Sequence, residues 1–291
     1  MNTKTILPQN IWKKKLKIEE FDLVSKLDST HCIYSNAYYD ELKMPCEIRG
    51  LDVQGYDPIA QWINIGNNSG IKRLIFISTC SNYGLIEDDE LADESHKLMP
   101  LSLYAESKVK VEKYILSLKD KVDYDPVILR FATAFGLSPR MRFDLTISQF
   151  TRELYLGNEL VVFDENTWRP YCHTLDFSRL IYKVIEAPSE NISFKIFNAG
   201  GSSNNFTKKM IVDEILKFLP NGKVKYQKHG SDPRNYRVDF SKVVDKLGFK
   251  PQYNIQYGIK ELMHAMDNQL FNLVEKNKIF YGNYKLDLQS E

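Results

Sequence analysis

Leu74-Ile75-Phe76-Ile77-Ser78-Thr79-Cys80-Ser81-Asn82-Tyr83-Gly84 is the stretch on which the fold turns. Four consecutive apolar residues closed by small polar residues and a glycine form the pattern of a strand buried on both faces that ends in a loop. A polar loop follows as far as Pro100. From Ser102 to Leu118 the apolar positions Val111, Ile115 and Leu118 recur at helical spacing, with Ser102 in place as N-cap. Val127-Ile128-Leu129, within Pro126 to Phe131, supplies a second buried strand. Residues 71 to 131 therefore read as a β-loop-α-β unit, and such a crossover joins parallel strands.

Outward from this unit, one-sided apolar sets predict helices at about 144–156, 175–187, 207–219 and 256–270. Leu160 to Phe163 and Phe194 to Phe197 read as short strands, and residues 220 to 236, rich in Pro, Gly and Asn, read as loops. His31-Cys32-Ile33-Tyr34 is a strand candidate with a short apolar signal, and Lys13-Lys14-Lys15-Leu16-Lys17 reads as a solvated face. The fold class is α/β: a parallel sheet with a smaller lobe beside it, built from the C-terminal part of the chain.

Composition narrows the function classes. With 39 Lys and Arg against 38 Asp and Glu, and a net charge of +1, the chain of 291 residues lacks the cationic excess that drives nucleic-acid or anionic-membrane binding. Neither a signal-peptide core nor a run of about 18 apolar residues is present, so the expected setting is cytoplasmic, with no membrane partner. Cys32, Cys46, Cys80 and Cys172 form no Cys-x-x-Cys pair and no metal-type spacing with histidine; they read as reduced thiols, and no metal is expected.

The chemistry centres on Tyr104-Ala105-Glu106-Ser107-Lys108. Positions i and i+4 share a helix face, and an ammonium beside a phenol favours the phenolate that can take up a proton. Ser78 and Thr79 stand where the preceding strand ends, and ligands of open α/β sheets bind outside the carboxyl ends of strands. The plain alternatives are a surface Tyr/Lys pair and a Ser/Thr turn capping loose backbone groups.

Seven segments, in order, resemble the extended short-chain dehydrogenase/reductases, specifically the NAD-dependent epimerase/dehydratase group acting on nucleotide-activated sugars. They are Asp52 to Gly55, Ile71 to Gly84, Tyr104 to Lys108, Leu129 to Gly136, Trp168 to Asp176, Phe197 to Gly201, and Asp232 to Asp239 with Leu247-Gly248-Phe249 behind it. The resemblance implies Tyr104 as acid/base, Lys108 on the nicotinamide ribose, Thr79 orienting the sugar with Ser78 beside it, and Phe131 next to the nicotinamide. It implies Thr133 near the sugar, where related enzymes have asparagine, and Arg169 and Arg234 at the diphosphate, for which guanidinium forks are suited. NAD or NADP is the implied cofactor, a nucleotide sugar the implied partner, and a homodimer the implied assembly. By the same resemblance the sheet is Rossmann-like and incomplete at its N-terminal end, 1–50 is a divergent N-terminal segment, 51–160 a partial dinucleotide-binding domain with the catalytic residues, and 161–291 a mainly substrate-binding lobe whose helices return to the sheet.

Two departures qualify that reading. Cys80 and Ser81 stand where nucleotide-sugar 4,6-dehydratases carry an Asp-Glu pair, which disfavours dehydration. None of the 14 glycines falls in the Gly-x-x-Gly-x-x-Gly turn with which the family holds the dinucleotide pyrophosphate, and Gly66-Asn67-Asn68-Ser69-Gly70 fails the spacing. The expectation is therefore twofold: an NAD(P)-dependent epimerase or reductase using Tyr104, or a truncated, non-catalytic member that binds a sugar nucleotide or pairs with an intact relative.

Overall fold

The structure is a computed structural model and describes residues 31–35 (backbone only), 71–87, 90–138, 141–272, 274 and 281–282. The lysine run at 13–17, the Asp52–Gly55 segment and the 66–70 glycine cluster lie outside the described residues. Four parallel strands form the main sheet in the order β1-β2-β3-β7. These are β1 (His31–Ser35), β2 (Arg73–Thr79), β3 (Asp125–Phe131) and β7 (Lys195–Ala199). The strand candidate at 31–34 is thus an edge strand of that sheet, and a strand from the C-terminal half, besides helices, returns to it.

Helix α1 (Leu103–Ser117) makes the crossover from β2 to β3, and the Ser102 hydroxyl accepts the Ala105 N–H as its N-cap. Its Val111 and Ile115 pack on Leu74, Phe76 and Ile128 of the sheet. Burying each such aliphatic side chain contributes roughly 1.5–3 kcal/mol, which holds the tyrosine-bearing helix against β2.

After β3 the chain turns at Ala132 into β4 (Thr133–Phe135), and this second sheet runs β4-β6-β8. Helix α2 (Thr146–Tyr155) leads to β5 (Leu160–Phe163), and β6 (Trp168–His173) is followed by α3 (Thr174–Glu186) and a single turn, α4 (Ser189–Ile192). Beyond β7 come β8 (Asn205–Thr207), α5 (Lys208–Leu216), β9 (Val224–Gln227), α6 (Ser241–Leu247) and α7 (Ile255–Asp267).

Three differences from the sequence reading have physical causes. Residues 224–227 are a strand rather than loop, because backbone pairing with β5 organises Val-Lys-Tyr-Gln, whose alternation is too short to read alone. Strand β6 carries Pro170 and so lacks a strand-like signal; the proline sits in the antiparallel pair with β8, opposite Asn205. The strand expected at 194–197 begins one residue later, since Phe194 turns at a positive φ of 52°.

Candidate active site

Register places the site. Thr79 pairs with Phe131, and Phe131 pairs with Ala199, so three strands end side by side at the carboxyl edge of the main sheet. At that edge Thr79 caps a 3-10 turn (Cys80–Tyr83), its Oγ1 accepting the Ser81 N–H at 3.1 Å. A hydroxyl that accepts a capping bond keeps its own proton for a ligand.

Tyr104 lies in the first turn of α1, half-buried, and Lys108 one turn on is only 1% exposed. The Lys108 Nζ donates to the Ile77 carbonyl at 2.6 Å, two residues before Thr79, and stands 5.6 Å from the centre of the Tyr104 ring. The Tyr-x-x-x-Lys pair is therefore fastened to the end of β2 by the lysine itself.

Ser78 sits differently from Thr79. Its hydroxyl donates to Glu112 Oε1, a carboxylate one turn beyond Lys108, and accepts Asn82 Nδ2 at 3.2 Å. Glu112 also accepts Asn82 Nδ2 at 2.9 Å and, through Oε2, Arg130 NH2 at 2.7 Å. Arg130 reaches on to the Tyr83 hydroxyl at 3.0 Å, which donates to Asn198 Oδ1 at 2.7 Å. This buried network ties α1, β2, β3 and β7 together directly behind Thr79, Lys108 and Phe131. Burial pushes the Tyr83 phenol far above its usual value, so Tyr83 belongs to the scaffold as a neutral donor.

Phe131 stacks on Phe177 with ring centres 3.8 Å apart, and Thr133 opens β4 opposite Tyr171. Behind this corner, Gly136 has a φ of +96°, where a Cβ would lie 2.2 Å from His173 Nε2. His173 accepts the Leu175 N–H at Nδ1, so its Nε2 proton points to Glu261, 3.0 Å away. Glu261 Oε2 also accepts the Leu137 N–H at 2.8 Å, which fixes the turn after β4 from α7.

The two predicted cations lie on a single carboxylate. Arg234 forks onto Asp232 through Nε (2.7 Å) and NH2 (2.8 Å), and Arg169 NH2 reaches the same Asp232 at 3.0 Å. Burial would raise the Asp232 carboxyl, but Arg234 and Arg169 together hold it well below the usual carboxylate range. The Arg234 NH1 contacts Ser81 Oγ at 3.3 Å, and Tyr104 lies within electrostatic reach of the same guanidinium. Backbone pairing brings this loop to the main sheet: Asn235 N–H donates to Gly84 O at 3.0 Å, and Ile86 N–H to Asn235 O at 2.8 Å.

Cys80, where a dehydratase-type acid was expected to be lacking, is 1% exposed and its thiol donates to the Arg130 carbonyl at 3.1 Å. Burial drives that thiol far above its normal range, so it offers no acid or base at the strand end. Among the described residues, no group of histidine, cysteine and carboxylates could hold a metal ion. No helix among them is long and apolar enough to cross a membrane. Glu112 and Glu261 were not picked out by sequence reasoning, and Asp232 entered only as the first residue of a family-like segment, without a role; of the two glutamates, Glu112, four positions beyond Lys108 on the same helix face, carries a local signal.

A parallel sheet whose strand β2 ends in Ser-Thr, followed by a helix bearing Tyr-x-x-x-Lys, defines the short-chain dehydrogenase/reductase class. The sequence model of the NAD dependent epimerase/dehydratase family matches residues 41–200, and the chain belongs to that family. It is 28% identical over 194 residues to a dTDP-glucose 4,6-dehydratase of Actinoplanes sp., covering 66% of this chain and 59% of that one. It is 24% identical over 222 residues to a UDP-glucose 4-epimerase of Rhizobium leguminosarum bv. trifolii, with 69% and 67% covered. The chain thus spans well under two thirds of the dehydratase's length. The fold is similar to a UDP-glucose 4-epimerase of Thermotoga maritima (TM-score 0.69, 19% identity, 83% of this chain and 78% of that one). It is equally similar to a UDP-N-acetylglucosamine 4-epimerase of Methanobrevibacter ruminantium (TM-score 0.69, 22% identity, 88% and 82% covered).

Proposed function

We propose that this chain acts on a nucleotide-activated sugar as an NAD(P)-dependent epimerase or reductase, with Tyr104 as the acid/base. The observation that carries this reading is the joint placement of Thr79 at the end of β2 and of Tyr104 with Lys108 on α1, with the lysine bonded back to Ile77. In this reading Tyr104 Oη takes or returns the proton of a sugar hydroxyl, and the Thr79 hydroxyl donates to the same oxygen. Lys108 keeps positive charge beside the phenol ring, and Arg234 faces the diphosphate, with Arg169 behind it. Thr133, at the corner between the two sheets, faces the sugar.

In this reading Tyr104, Lys108 and Phe131 would hold the nicotinamide end of a dinucleotide, and Ser78, whose hydroxyl donates to Glu112, would support that end only through its neighbour Thr79. When bound, the cofactor supplies the hydride acceptor and donor. Elimination is disfavoured, because the Cys80 thiol is turned into the core and Ser81 is engaged by Tyr236 and Arg234. A homodimer, cytoplasmic residence and the division at about residues 50 and 160 belong to the same reading.

One observation favours a second reading, a protein that binds a sugar nucleotide without turning it over: none of the 14 glycines forms the Gly-x-x-Gly-x-x-Gly turn. Titration with NADH, followed by nicotinamide fluorescence and melting temperature, separates the two. Saturable binding that is lost in Tyr104→Phe/Lys108→Ala is expected for the enzyme, and a screen of nucleotide sugars for turnover completes the test. No binding at millimolar NADH sinks the autonomous enzyme and leaves the second reading.

A further inference from the structure

The anion end of the site is not two equivalent cations. Arg169 and Arg234 share Asp232 but differ in exposure, their side chains being 8% and 31% accessible. Arg169 donates through NH1 to the carbonyls of Trp168 (2.7 Å) and Arg234, donates through NH2 to Asp232, and lies over the Tyr236 ring at 5.0 Å. Three of its five N–H donors are thus engaged by protein, and the side chain is sandwiched between strand β6 and the 232–236 loop. Arg234 has its Nε/NH2 edge on Asp232 and holds its NH1 corner out toward Ser81 and the end of β2. Lys208, which donates to the Phe163 carbonyl at 2.7 Å, joins the same electrostatic neighbourhood of Arg169, Arg234, Asp232 and Asp164.

We propose that Asp232 is the positioning residue of this anion site: by accepting both guanidinium groups it fixes Arg234, the more exposed, and Arg169, the more buried, at the set positions that meet a diphosphate. A long arginine side chain loses rotamer freedom when it binds an anion, and a carboxylate that fixes its fork beforehand removes that cost from binding. Fixed donors also favour two linked phosphoryl groups over one, because a single phosphate can be followed by a freely moving guanidinium, whereas a diphosphate needs cations at set positions. The inference rests on reading the 232–237 segment as the diphosphate end of the site proposed above.

The test uses the whole chain and three probes: inorganic pyrophosphate, orthophosphate and UDP, each titrated calorimetrically, with uridine as the uncharged control. Wild type is expected to bind pyrophosphate at least tenfold tighter than orthophosphate. In Asp232→Asn, pyrophosphate and UDP are expected to weaken at least tenfold, orthophosphate to change little, and the preference to collapse, with uridine unaffected. A merely structural role would weaken all probes alike. Asp232→Glu, which keeps the charge but displaces the fork by one methylene, is expected to recover part of the preference, and gives a reading even where Asp232→Asn does not fold. The proposal is overturned if Asp232→Asn binds pyrophosphate as tightly as wild type or tighter, which would make Asp232 a competing anion. An unaltered preference in Asp232→Glu, or no pyrophosphate binding by wild type, overturns it as well. Failure of the functional reading looks different: pyrophosphate and UDP bind with the expected variant pattern, but no nucleotide sugar binds better than UDP or is turned over.

Discussion

Glu94 shows how a single carboxylate near the site sets a pH dependence. Its Oε1 accepts the Asn198 N–H at 2.7 Å, in the strand that closes the main sheet. Burial raises its carboxyl above the normal value, and this outweighs the lowering by the Asn198 bond and by Lys242. The folded chain therefore holds this proton more tightly than the unfolded chain, whose glutamates titrate near about 4.3. The stability this group contributes is fully present below that unfolded value and is lost as pH rises through the raised folded value. Glu94→Gln keeps an acceptor for the Asn198 N–H and removes the half-buried charge. It is expected to melt at or above the wild-type temperature at pH 7, with the difference closing as pH falls to about 4; a variant that melts lower by a constant margin at every pH contradicts this. At this scale the sequence discloses chemistry where spacing is local. Tyr104 and Lys108 share a helix face and can be read four residues apart, as can Thr79 at a strand end. The carboxylate partners could not be read so: Asp232 meets Arg169 from 63 positions away, and Glu261 meets His173 from 88 away, so only the tertiary fold joins them.

The turn that follows β4 depends on one glycine. Gly136 combines a φ of +96° with a backbone placed against the His173 ring, so an added methyl meets both conformational strain and a 2.2 Å overlap with Nε2. Gly157 has a comparable φ of +78° but open space around it. The pair separates the two costs: Gly157→Ala is expected to lose about 1–2 kcal/mol from backbone strain alone, and Gly136→Ala distinctly more, about 3 kcal/mol or above once the clash is added. Urea midpoints of the two variants measure the difference, and equal losses would show that the His173 ring gives way freely. Elements with a strong internal period were legible beforehand: the apolar runs of β2 and β3, and the one-sided helices α2, α3 and α7. Those that owe their form to a neighbour were not. Strand β9 exists through pairing with β5, β6 is interrupted by Pro170, and the seven-residue helix α6 is too short to display a period.

Two cores are built from non-contiguous parts of the chain. The larger, on one face of the main sheet, joins Ile75, Val127 and Leu129 to Tyr236, Val238, Phe240 and Phe249 from beyond the second sheet. The smaller gathers α2, β5, β6, α5 and α7 through Phe150, Val162, Tyr171, Ile211 and Ile259. Tyr171, at its base, is buried with its phenol pushed up to about 12, so it stays neutral across the range in which the protein would work. Between the cores runs the 232–240 segment, bonded to the loop after β2 at Gly84, Ile86 and Ala92 and carrying Arg234 on the way. The segment supplies Tyr236, Val238 and Phe240 to the larger core and is hydrogen-bonded to β6 at Trp168 and to β8 at Asn205, so opening on either side strains the other, the condition for a single cooperative unit. Hydrogen exchange in increasing denaturant is therefore expected to give β3 amides and β6 amides the same opening free energy and the same dependence on denaturant. If the segment that links them forms the proposed diphosphate end, UDP is expected to raise both together. Protection that rose in β6 and α5 alone, with β3 unmoved, would mean that the substrate lobe opens independently and that Arg234 reaches the strand ends only part of the time; the joint site of Thr79, Tyr104 and Arg234 would then form on ligand binding instead of before it.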